Sequence, residues 1–447
     1  MGARRSGSGR RCGAHISGIR ATKARRREPL LRQLSRTQDR SLPRVAQVVL
    51  LLVALLVTAC GSATTPPAAT SAPATSAATA KSVVTGVTDT EVVVGSWGPQ
   101  DGPAGAYGAI DRTLDAYFKM INDQGGVNGR KIRFIYENDS YQPAKTVAAV
   151  KKLVEEDKVF ALCGGLGTAH NLAVMDYLVA ANVPHVWPAT GTTALAVPLK
   201  KNIYAVQLNY TTEATLATQY ALDTMGTKKI AVFYQNDAFG KEGLDAVQAE
   251  LKKRNLPAAT AVSYETADTN FSAQALKLQT SGADTVILYA VPKPGGSIIA
   301  EMSKIGYAPK LLSSSVINDP SIFQLAGPAI NGMLIEAYLP PFDDTSNPKI
   351  VEYQAFMAKY APKEQIGGFT ESGYAYGQVF IEALKRGGKE LTREGFMANL
   401  DQMSNFTGSL VPSLSYSPTD HAGVKAAYFQ SAKDGKFVNV TGFITLK

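Results

Sequence analysis

The sequence is poor in the residues from which most catalytic and metal sites are built. Only three cysteines occur in 447 residues, Cys12, Cys60 and Cys163, which excludes a disulfide framework. The four histidines, His15, His170, His185 and His421, are scattered. None stands at metal-ligand spacing from a cysteine or glutamate, so no metal is expected. No G-x-x-x-x-G-K-[ST], H-E-x-x-H, G-x-S-x-G or C-x-x-C occurs. Gly165-Leu-Gly167-Thr-Ala-His170 supplies part of a dinucleotide fingerprint, but His170 replaces the third glycine and no acid ends the next strand. These gaps argue against an enzyme and against a cofactor, and no catalytic residue is assigned. The body also lacks charge of either sign in excess. The formal charge is +9, yet residues 1–44 alone carry +11 and leave −2 on the rest. A near-neutral body gives no reason to expect nucleic acid as a partner.

What is present begins with that basic leader. An apolar run of about 15 residues follows, from Val45 to Ala59, short of the ~20 that span a bilayer. Basic region, apolar core and small residues at the exit read as a secretory signal over 1–59. Leu56-Val-Thr-Ala-Cys60 resembles the bacterial lipobox, which implies cleavage before Cys60 and acylation of its thiol. Residues 61–82, rich in Ala, Thr, Ser and Pro, cannot bury a core, so 60–87 reads as a lipidated cysteine and flexible tether. The expected location is the cell membrane, lipid-anchored, on the extracytoplasmic face.

From about residue 88 strand and helix signals alternate. Glu91–Gly95, Lys131–Tyr136, Val159–Cys163 and Val183–Trp187 read as strands separated by helical stripes such as Ile110, Leu114, Tyr117, Phe118 and Ile121. The pattern restarts with strands at Lys229–Tyr234, Asp284–Tyr289, Lys310–Ser313 and Met333–Tyr338. Two such series predict an α/β protein of two lobes, each an open, mainly parallel sheet with helices on both faces. Ligands in such sheets bind in loops beyond the strands' carboxyl ends, here on two walls of a cleft.

Gly95-Ser-Trp-Gly-Pro-Gln-Asp-Gly-Pro-Ala-Gly-Ala-Tyr-Gly108 resembles the first ligand loop of the leucine/isoleucine/valine-binding protein family, the type I periplasmic solute-binding proteins of ABC importers. The likeness continues through Asn122–Gly129, Gly164–Asn171, Val183–Thr190, Asn236–Gly240, Asn331–Leu334 and Tyr374–Tyr376, and covers about 88–445. Gly164–Asn171 and Tyr234–Gly240 look most like a branch that includes aromatic-acid binders. The resemblance implies a type I fold with three hinge crossings, near Gln207–Thr211, Tyr338–Phe342 and Phe406–Leu414. The amino lobe would be 88–208 plus 341–408, and the carboxyl lobe 209–340 plus 409–447. It implies a small-molecule ligand (an amino acid, amide or carboxylate), capture by hinge closure and delivery to an ABC permease. A sensory protein coupled to a membrane receptor is the alternative.

By the same resemblance Tyr107 packs on the ligand, or else is a core aromatic at a helix start. Thr168 matches a hydroxyl that binds a ligand carboxylate at a helix N-terminus, where free N–H groups and the dipole favour anions, or else is a cap. Thr190, Gly191 and Thr192 fall on a contact loop. Phe239 and Tyr289 match lining positions from the second lobe, or else serve as a hydrophobic staple and a core aromatic. Ser315 stands where the family has the glutamate that pairs with an amino acid's ammonium. That departure favours a carboxylate or polar amide with an apolar body over a zwitterion, unless Asp101 or Glu371 replaces the missing acid.

Overall fold

The structure is a computed structural model and describes residues 84–446. The signal segment, Cys60 and nearly all of the tether lie outside the described residues.

The amino lobe is built on five strands: β1 (Glu91–Gly98), β2 (Lys131–Asn138), β3 (Ala161–Cys163), β4 (His185–Val186) and β5 (Ile203–Tyr204). All pair in parallel in the order β2-β1-β3-β4-β5. The interior strand β1 is buried from Val92 onward, as a parallel strand covered on both faces must be. Three helices from late in the chain, Pro348–Tyr360, Gly368–Gly387 and Arg393–Asp401, return to this lobe. Their Tyr353, Phe380 and Phe396 share one core with Leu114 and Phe118 of the helix Gly108–Asp123.

The carboxyl lobe has seven strands: β6 (Ile230–Gln235), β7 (Thr260–Tyr264), β8 (Thr285–Tyr289), β9 (Lys310–Ser313), β10 (Leu334–Ala337), β11 (Tyr428–Lys433) and β12 (Lys436–Asn439). The order is β12-β11-β10-β9-β8-β6-β7. β6 to β10 pair in parallel, and β11 and β12 run antiparallel at one edge. Strand alternation sorts the side chains into two cores. Ala231, Phe233, Val286 and Leu288 pack with the helices Ser272–Thr280 and Pro292–Lys304. Ile230, Val232, Ile287 and Tyr289 pack with the helices Tyr210–Asp223 and Ala238–Lys253 on the opposite face.

The chain passes between the lobes after β5, after β10 and before β11. The third passage lies further along than Phe406–Leu414. Phe406 and Leu414 bridge each other, and Leu410, Val411 and Tyr416 stay in the amino lobe's core. Gly423 and Val424 donate their N–H groups to the carbonyls of Ala205 and Val206, which ties this segment to the end of β5.

Candidate functional site

A cavity of about 560 Å³, counted to its open mouth, lies between the lobes. Its walls are the segments that follow the carboxyl ends of strands. Tyr107 follows β1, Leu166 follows β3, Ala189 follows β4 and Gln207 follows β5. Ser315 and Val316 follow β9, Tyr338 and Leu339 follow β10, and the first two turns of Gly368–Gly387 close the amino-lobe side. This is the placement that open parallel sheets dictate.

Tyr107 ends a short helical turn, is 4% exposed and packs on Phe369 with ring centroids 4.3 Å apart. Its hydroxyl donates to the Val316 carbonyl of the other lobe at 2.8 Å. Ser315 Oγ donates to Glu213 Oε1 at 2.6 Å, and the Gln207 amide stands 3.5 Å from the same hydroxyl. Tyr338, Ser372 and Tyr376 line the same wall. Glu371, in the first turn of its helix, lines the cavity at 2% exposure, and its Oε1 has no hydrogen-bond partner.

The other sequence candidates lie behind or beside this wall. Thr168 is the first residue of the helix Thr168–Ala180 rather than its cap, which is Gly167. Its hydroxyl pairs with that of Thr190 at 2.7 Å, and neither lines the cavity. The Tyr210 hydroxyl meets the Thr190 side chain and the Gly191 backbone, so these two residues hold a lining tyrosine rather than forming the wall themselves. Phe239 and Tyr289 are buried in the carboxyl lobe with ring centroids 5.0 and 6.2 Å from Tyr210, and Tyr289 donates to the Tyr210 carbonyl at 3.2 Å. Their alternation on strand and helix turns them toward this core. Asp237 caps the helix at Phe239 and Gly240. Asp101 is exposed and binds Asn138, and Asp319 accepts from the Ser321 N–H. Trp97 is buried in the sheet against His185, away from the cleft.

Thr192 takes part in a latch across the cleft. Glu242 of the carboxyl lobe accepts from Thr192 Oγ1 at 2.7 Å, Thr193 N at 2.9 Å and Thr193 Oγ1 at 2.6 Å. Gln235 also donates to the Tyr141 hydroxyl across the lobes at 3.2 Å.

The acids of the site were the least legible part. Glu213 is 1% exposed, and burial pushes its carboxyl up to about 8 against the Ser315 hydrogen bond. Glu336 on β10 is equally buried, with neither oxygen partnered, and burial next to Glu213 raises it too. In the sequence Glu213 looks like an ordinary first-turn acid of a helix, and only its spatial partner Ser315 marks it out.

Residues 91–436 match the periplasmic binding protein family. The chain belongs to that family. A Leu/Ile/Val-binding protein homolog of Brucella melitensis is 27% identical over 301 residues, 67% of this chain and 80% of the relative. A substrate-binding periplasmic protein from Ralstonia solanacearum superposes with a TM-score of 0.73 at 25% identity, over 79% of this chain and 100% of that one. A branched-chain amino acid ABC transporter protein from Thermus thermophilus, solved with bound valine, shares the fold at a TM-score of 0.73 and 20% identity, over 80% and 98% of the two chains. The family is of the leucine/isoleucine/valine-binding type, and its members bind solutes outside the cytoplasm rather than convert them.

Proposed function

We propose that this family member is an extracytoplasmic receptor that captures a small organic solute between its lobes and presents the closed form to an ABC permease. The observation that carries the reading is the interlobe cavity, walled by Tyr107 and Phe369 on one side and by Ser315 and Val316 on the other. Its buried, mixed apolar and polar wall is what a ligand of this size requires. The lobes already touch through Tyr107 and Glu242, so binding energy can be spent on stabilising closure.

Acylation at Cys60 would hold the receptor at the membrane, as the Leu56–Cys60 segment suggests. Cys60→Ser protein is expected to remain unprocessed or to leave the membrane fraction, and unchanged fractionation and mass would remove the anchor from the account.

A thermal-shift screen of the purified protein against amino acids, amines, amides and organic acids tests the receptor reading. At least one class should raise the melting temperature and be recovered chemically unchanged. Conversion of the ligand on incubation would contradict it.

A further inference from the structure

Resting on that receptor reading, we propose that the cavity takes a small organic cation, a protonated primary amine on an apolar or aromatic body, with its ammonium against Glu371. The side chain of Glu371 lines the cavity, is nine-tenths buried and more, and leaves Oε1 without a partner. No lysine, arginine or histidine is among the residues that line the cavity. An unpaired carboxylate in such a place is very costly. Protonation removes the charge but creates an O–H donor that needs an acceptor of its own. An ammonium answers both needs, because it brings the countercharge and three N–H donors. The position of Glu371 in the first turn of a helix favours its ionised form once a cation arrives.

The surroundings supply no positive charge to pair with Glu371. Glu213 stands behind Ser315 with Oε2 unpartnered, and Glu336 has both oxygens unpartnered. Burial holds Glu213 and Glu336 protonated as well, and the titratable groups that feel these carboxyls are neutral tyrosines, Tyr338, Tyr353 and Tyr428 near Glu371 and Tyr289 and Tyr338 near Glu213. A carboxylate ligand would therefore bring an anion into a closed site whose lining supplies no cation to pair with it. A zwitterion would bring one favourable and one unfavourable group. The hydroxyl pair Thr168–Thr190, which could have offset a ligand carboxylate, is engaged with itself. Tyr107, Phe369, Ile110 and Leu166 provide apolar surface for the body of the amine.

The test is calorimetric titration of the purified protein with two matched sets: isoamylamine, leucine and 4-methylpentanoate, then phenethylamine, phenylalanine and 3-phenylpropanoate. In the set whose body fits, the amine should bind at least about tenfold tighter than its acid, with the amino acid between them. Amine binding should release protons, read as a dependence of the heat on buffer ionisation enthalpy, because the buried carboxyls give up protons when the cation arrives. Glu371→Gln should weaken the amine about tenfold or more and leave unfolding unimpaired, since it removes a buried acid. The comparison of amine with acid, and the proton release, need no variant. Acid binding as tight as amine binding, or amine affinity within twofold of wild type in Glu371→Gln, would overturn the inference and leave the receptor reading standing. A flat response to both sets would count against both.

Discussion

Tyr107 shows how one side chain serves two purposes in this cleft. Its ring forms wall with Phe369, and its hydroxyl joins the amino lobe to the Val316 carbonyl. Tyr107→Phe keeps the wall and removes the joint. One hydrogen bond is worth about 1 kcal/mol, so affinity should fall roughly fivefold while the melting temperature barely changes. Equal losses in both would make Tyr107 a core residue only. Position in the first loop made Tyr107 legible in the sequence, and Ser315 was legible because it stands where the family has its ammonium-pairing glutamate. Phe239 and Tyr289 were matched to lining positions, but which way a side chain faces depends on strand and helix phase. Both face the core that supports Tyr210. Glu213 was not legible, because its role depends on a residue 102 positions away.

At the scale of elements, the parallel strands followed from their β-branched runs, and two kinds of strand did not. β5 has two residues, too few for any periodicity, and β7 (Thr-Ala-Val-Ser-Tyr) is a short edge strand with small and polar members. The β11–β12 hairpin carried a readable sign, Asp434-Gly435, whose φ values of +50° and +80° suit the turn that joins antiparallel strands. The helix Gly368–Gly387 approaches the other lobe at its first residue. A Cβ at Gly368 would stand 1.9 Å from the Asn318 carbonyl oxygen. Gly368→Ala should therefore hold the lobes apart and weaken binding at least about tenfold without unfolding the amino lobe, which ligand titration and circular dichroism would show together. Glu242→Gln should act on the same closed form through its exit rate. The amide cannot accept from all three threonine-segment donors as the carboxylate does, so ligand release in stopped flow should be faster, and an unchanged rate would deny the latch.

For the whole molecule, the buried acids set a pH dependence. Burial raises Asp111 from 3.8 to about 7, against hydrogen bonds from Ser96 and Gln100, and raises Glu213 from 4.5 to about 8. Both therefore hold protons in the folded state that the unfolded chain releases between about pH 4 and 8. Ligand-free stability should fall as pH rises through that window. Urea unfolding at pH 5 and pH 8 checks this, and equal or greater stability at pH 8 would contradict it. The proposed receptor captures its solute by closure of two lobes. That closure is tested most directly by the distance between spin labels on Lys145→Cys and Lys241→Cys, exposed positions on the amino and carboxyl lobes, in a Cys12→Ser, Cys60→Ser background that leaves buried Cys163 in place. Saturating ligand should shorten the mean distance and narrow its distribution; a distribution identical with and without bound ligand would contradict closure.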